Sequence, residues 1–172
     1  MATAPPRPTQ EESFLLKGAR LDLQGHCAPV RTDLAERAIA EISCTPTSGV
    51  AQLVRVFLFN SQADLLDSYQ ARLGAHGVAM RSNGGPCAAG RSSEGSYVPG
   101  DGAGFVPERG GCYEDEAGLA HYTVTSPPYV MAEVDGSVSD GAAVERFAWL
   151  GNQDVPGGPT IWRSDGPAST EK

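Results

Sequence analysis

The sequence is nearly without lysine: of its 13 basic residues only Lys17 and Lys172 are lysine, and the rest are arginine. Basic residues of either kind are outnumbered by 21 acidic ones, for a net charge of −8. Nucleic-acid binders need a basic face for the phosphates, so this balance excludes that partner. It also disfavours docking on anionic lipid. No apolar run approaches the roughly 18 residues of a membrane-spanning helix, so the segment has no means of inserting directly in a bilayer. Catalytic signatures are missing as well. There is no GxSxG elbow, no kinase HRD or DFG, and no phosphate loop followed by lysine. No two cysteines form a CxxC, which removes the zinc-ribbon and thioredoxin patterns.

What is present is a globular composition, 40% hydrophobic and 20% charged, in 172 residues. That length bounds the chain to one domain or a little more. The 21 glycines and 13 prolines announce extensive loops. Four widely spaced cysteines stand out: Cys27, Cys44, Cys87 and Cys112. An even number at wide spacing reads as two disulfides, and disulfides persist in oxidising compartments. Three pairings are open. The most local, Cys27–Cys44 with Cys87–Cys112, is favoured, and each bridge would contribute roughly 3 kcal/mol on the chain-entropy account. A cytosolic protein with four reduced thiols is the alternative.

Residues 1–13 are polar and proline-rich, with no hydrophobic region of the secretory kind. They read as a linker, and the expectation is a fragment of a larger protein. The body is expected over residues 14–151, with a tail over 152–172 that docks near Ile161 and Trp162 before becoming disordered. A short helix is expected over 14–27. Strands follow at 39–44 and 50–60, joined as a hairpin by TPTSG. Ser61 and Asp64 have capping-box spacing and open a helix whose stripe is Leu65, Leu66, Tyr69 and Leu73. A long glycine-rich loop covers 81–111. Strands are expected around 110–114, 120–126 and 129–134, and Ser139 or Asp140 caps a last helix that ends at Gly151. The order is α-β-β-α, long loop, β-β-β-α. Without βαβ alternation it predicts an α+β fold, an antiparallel sheet with helices packed on one face.

Segments LLKGARLDLQGHC, AEISCTP, VRVFLFNSQADLLDSYQARL, GGPCAAG, RGGCYED, LAHYTVTSPPYVMAEVDG and AAVERFAWL carry a resemblance. Over about residues 14–151 the chain resembles the extracytoplasmic C-terminal, sensor-like domains of actinobacterial-type membrane-anchored serine/threonine kinases, and related secreted or lipoprotein domains. The strand HYTVT departs from the pattern, since such domains often carry tryptophan there, and the tail beyond Gly151 is extra. The resemblance implies a non-catalytic sensor or interaction module with two local disulfides. Any kinase activity would lie in a separate domain.

Several residues invite a functional reading. Tyr97, Phe105, Tyr113, Tyr122 and Tyr129, with His121, could line a groove if the long loop folds over the sheet. The occupant would be a small ligand, a peptide or a protein. His26 beside Cys27 would make a nucleophile pair only if that thiol were free. His76 reads as solvated. The stretch from Asp101 lacks the alternating oxygen ligands of a calcium loop, and Glu114-Asp115-Glu116 reads as a solvated hairpin turn, with cation binding as the alternative. No metal and no cofactor is expected. The leading expectation is a ligand- or partner-binding module of a membrane-tethered or secreted protein. The rivals are a surface or assembly protein presenting a stapled loop, and an enzyme of unrecognised type using His26 or His121.

Overall fold

The computed structural model describes residues 6–20, 22–47, 49–80, 92–97, 108–126 and 128–137, together with Gly141 and Val144. Helix α1, Gln10–Gly18, starts within the stretch read as linker. Its start is written in the sequence as Thr9 and Glu12. The Glu12 amide donates to the Thr9 hydroxyl, and the Thr9 amide donates to Glu12 Oε2 at 2.7 Å. That reciprocal box satisfies two otherwise orphaned donors. The helix stops at Gly18, so the helix expected over 14–27 is corrected: it begins earlier, ends earlier, and Cys27 lies in a strand.

That strand, β1 (Cys27–Val30), is absent from the expected order. It pairs antiparallel with β2 (Ala38–Cys44), which pairs with β3 (Ala51–Phe59) as the expected hairpin. Pro29 cannot donate to a ladder and sits on an edge strand, where that lack is tolerated. Helix α2 (Gln62–Gly74) follows, capped by Ser61, whose hydroxyl accepts from the Asp64 amide at 3.1 Å. The expected long loop contains a further strand, β4 (Ser93–Tyr97). Then β5 (Glu108–Glu114), β6 (Leu119–Ser126) and β7 (Val130–Ser137) form a meander. Among the described residues the sheet is antiparallel and seven-stranded, in the order β1-β2-β3-β7-β6-β5-β4. Two meanders therefore meet where β3 pairs with β7, and α2 lies on the connection between them.

The helices do not share a face. On one side Leu15 of α1 and its C-cap residue Ala19 pack with Ile42, Val54, Val56, Ala132, Val134 and Tyr122. On the other side Leu65, Tyr69 and Leu73 of α2 pack with Phe57, Phe59, Tyr113 and Met131. Consecutive strand residues point to opposite faces, so Val56 and Phe57 belong to different cores. The expectation of helices on one face fails because β3 is apolar on both sides, and each side needs its own cover. Val144 joins the α1 side and is fully buried. A Cβ on Gly136 would come within 2.3 Å of its side chain, so this glycine makes room for the segment. The remainder of the last expected helix, and the tail with Trp162, lie outside the described residues.

The Cys27–Cys44 disulfide is present. It joins direct register partners on β1 and β2, rather than tying the first helix to a strand.

Candidate functional site

The centre of the sheet on the α2 face is polar, and register explains how it is assembled. Gly111, Thr123, Glu133 and Arg55 face one another across β5, β6, β7 and β3. The adjacent row is Tyr113, His121, Asp135 and Leu53. Alternation on β7 puts Met131 under α2 and Glu133 and Asp135 beyond it on the same face. The helix therefore covers the apolar part, and its last turn sends Arg72 over the first polar row.

Glu133 is 1% exposed, which demands partners for its charge. Arg72 Nη1 donates to its Oε2 at 2.8 Å, and Arg55 Nη2 donates to its Oε1. Arg55 Nη2 also lies 3.7 Å from Asp135 Oδ2. The Arg72 guanidinium sits 4.9 Å above the Phe57 ring, a cation–π contact that holds it over the sheet. His121 is bracketed by carboxylates. Its Nδ1 is 2.7 Å from Asp135 Oδ1, and its Nε2 is 3.0 Å from Asp115 Oδ2. Burial works against charge on this imidazole, but the hydrogen bonds to Asp135 and Asp115 outweigh it and raise its pKa. The hydrogen bond from His121 and the amide of Leu119 in turn lower the pKa of Asp115. Tyr113 lies between two imidazoles, with ring centroids 3.8 Å from His76 and 4.7 Å from His121. Burial pushes its phenol up to about 12.

Of the residues expected to line a groove, those whose side chains are described do not all come together. Tyr113 and His121 do meet, as that stack. Tyr122 is buried on the opposite face, in the α1-side core. Tyr129 lies in the β6–β7 turn, 40% exposed and with a φ of 75°. Tyr97 ends β4, and Phe105 lies outside the described residues. The cluster also contains residues that sequence reasoning passed over: Arg55, Arg72, Thr123, Glu133 and Asp135. The available signal was the spacing of Glu133 and Asp135 within a strand, which places two carboxylates on one face.

His121, Glu133 and Asp135 offer ligand-type atoms within 4.8 Å of one another, close enough for a cation. Glu133, however, has a guanidinium on each oxygen, and Asp135 is shared between His121 and Arg55. A divalent ion would have to displace those cations from a cluster whose charges they already balance. Thr123 Oγ1 and Arg55 Nε are buried without a hydrogen-bond partner among the described residues. Chemically, the arrangement suits proton binding more than nucleophilic work. Cys27 is bridged, so the His26–Cys27 pair has no thiol. Both ring nitrogens of His121 lie at hydrogen-bond distance from a carboxylate oxygen.

A second buried network secures β4. Arg109 donates from Nε to Glu94 Oε1 at 2.7 Å and from Nη2 to Oε2 at 2.9 Å, and the Tyr69 hydroxyl donates to Oε1 at 3.2 Å. Burial raises the pKa of the Tyr69 phenol strongly, and the Glu94 charge adds to it. None of the helices among the described residues is long and apolar enough to cross a membrane. No family model, curated protein or solved structure matches the chain.

Proposed function

We propose that the chain is a non-catalytic, extracytoplasmic module that binds a ligand or partner, and that it belongs to a membrane-tethered or secreted protein of the receptor-kinase type. The Cys27–Cys44 bridge carries this reading, because such bonds persist in oxidising compartments. A second bridge, Cys87–Cys112, belongs to the same reading. It is supported by Cys112, which is disulfide-bonded like Cys27 and Cys44. It would tie the glycine-rich segment around Cys87 to β5.

The binding role is supported by the Cys27–Cys44 bridge, which leaves the His26–Cys27 pair without a thiol nucleophile. Tyr129 is the proposed contact point. An exposed aromatic with positive φ is a costly conformation, and such positions cluster at binding and switch sites.

Intact mass of the non-reduced protein after alkylation, followed by peptide mapping, tests the compartment. The expected result is no alkylation, with Cys27–Cys44 and Cys87–Cys112 linked. Four alkylated thiols in freshly purified protein would overturn it. Sedimentation over a wide concentration range separates this role from its rival. A monomer throughout fits a sensor-like module, and concentration-dependent oligomers fit an assembly protein.

A further inference from the structure

We propose that Asp115, His121 and Asp135 form a proton-operated clamp, in which a proton on the His121 ring ties the β5–β6 turn to the centre of the sheet and its release frees that turn. The clamp is a property of the sheet, whether or not the module binds a ligand.

The geometry requires the proton. An ionised carboxylate only accepts hydrogen bonds, and a neutral imidazole has one N–H to give. Both ring nitrogens lie at hydrogen-bond distance from a carboxylate oxygen, at 2.7 and 3.0 Å. Both contacts are therefore satisfied together only with one proton beyond the neutral ring. That proton belongs on the ring rather than on a carboxyl group. Asp115 accepts from the amides of Ala117 and Leu119 through Oδ1, both at 2.9 Å, which favours its ionised form. Asp135 has the Arg55 guanidinium 3.7 Å away, a cation beside its carboxylate.

The surrounding charges agree. Glu133 and Asp135 face the ring from β7, and Asp115 faces it from the turn. Arg55 reaches the carboxylates from β3 and Arg72 from α2. Tyr113 stacks on the imidazole from β5, and His76, past the end of α2, stacks on the far side of Tyr113. Three carboxylates meet two guanidinium groups, so the cluster is neutral when His121 carries a charge and anionic when it does not. Burial lowers the pKa of His121, the two carboxylates raise it, and the net direction is upward.

The two arms of the clamp differ. The Asp135 side chain is 9% exposed and the Asp115 side chain 24%. When the ring loses a proton, one donor is lost. Asp115 is the partner that water can satisfy, so the outer arm opens. Asp115 also organises the turn, through its side chain and through its backbone amide on Leu119 at 2.9 Å. Its release loosens the segment from Asp115 to Leu119, while Asp135 keeps His121 oriented from below.

The test is an NMR titration of the full chain with labelled imidazoles, together with amide exchange. The expected result is a His121 ring protonated on both nitrogens at about pH 6 and titrating above the ordinary histidine value. The Ala117 and Leu119 amides should lose about tenfold in protection across that titration, after correction for intrinsic exchange. Asp115→Asn keeps an acceptor for the turn but removes the charge, and should lower the His121 midpoint. A ring with a single protonated nitrogen at that pH would overturn the clamp, and so would protection of those amides that stays constant through the titration. Both readouts use the unaltered protein, so a variant that fails to fold does not block the decision.

Discussion

Cys27 and Cys44 are direct cross-strand partners, with Cα atoms 3.9 Å apart, so the disulfide fastens an edge strand to its neighbour. Strand β1 needs that fastening. It has four residues, one of them Pro29, and it holds the sheet from one side only. Its far end is secured by Arg31, which donates from Nε and Nη2 to the two carboxylate oxygens of Glu12 in α1. Replacing both cysteines by serine should cost about 3 kcal/mol. The loss should appear as a lower urea midpoint, with amide protection falling first in β1. Reduction of the unaltered protein should lower protection in β1 as well, with a further loss around Cys112 in β5.

The His121 cluster predicts a stability optimum on the acid side of neutrality. The pKa of His121 is raised on folding, so its contribution is complete below the ordinary histidine value of 6.5 and is lost as pH rises through the folded value. Asp115 has the opposite sign. Its contribution is complete above the ordinary value of 3.8 and is lost as pH falls through its lowered folded value. Urea unfolding at constant ionic strength should therefore weaken in both directions from that window. His121→Gln should flatten the alkaline limb and also weaken the acid limb, because the hydrogen bond from His121 is the largest cause of the lowered Asp115 value. An alkaline limb unchanged in His121→Gln would assign the pH dependence to other groups.

Much of this fold is legible in local pattern, and the central cluster is not. The Ser61 cap, the Leu65–Tyr69–Leu73 stripe and the two-sided apolar run of β3 are local signals, and each became the expected element. Strand β1 was hidden because Pro29 argues against a strand until the segment is known to be an edge. Helix α1 was displaced because the Thr9–Glu12 box was overlooked inside a proline-rich stretch. The two-sided character of β3 already required cover on both faces, which the one-face layout did not supply. The Arg55–Glu133 pair depends on the register of β3 with β7, and residues 78 apart in sequence carry no local mark of their pairing; the His121–Asp135 pair, 14 apart, depends on the register of β6 with β7. His121 and Tyr122 are neighbours in one strand and must face opposite sides of the sheet, so the two cannot line one groove.

Glu94 should be among the most sensitive positions in the chain. Its side chain is fully buried and meets both Arg109 and the Tyr69 hydroxyl. Glu94→Gln removes the charge that compensates Arg109 and should cost about 3 kcal/mol. Equilibrium unfolding measures the loss, and exchange of the β4 amides should show it locally. A cost below about 1 kcal/mol would mean that Arg109 finds water as a substitute.

Gly111 is needed where α2 crosses β5. A Cβ there would lie 2.5 Å from Leu73 Cδ1 and 3.1 Å from the Tyr69 hydroxyl, and both side chains are fully buried. Gly111→Ala should therefore cost about 1–3 kcal/mol through overpacking. Pairing it with Leu73→Ala separates packing from backbone effects. The double variant should be less destabilised than the sum of the single ones, because the second change makes the room that the first requires.

Thr123 and Thr125 make a matched pair on one face of β6, and they should respond oppositely to the same substitution. Thr125 Oγ1 accepts a hydrogen bond from the Arg109 amide at 2.8 Å. Thr123 Oγ1 is buried without a partner among the described residues. Valine has nearly the same shape as threonine and suits a strand. Thr125→Val strands a backbone donor and should cost about 1–2 kcal/mol. Thr123→Val removes a desolvated hydroxyl and should be neutral or stabilising, by up to about 1 kcal/mol. Denaturant midpoints of the two variants, measured side by side, provide the check. A destabilised Thr123→Val protein would show that this hydroxyl has a partner in solution, placed between Gly111 and Glu133 at the centre of the polar cluster.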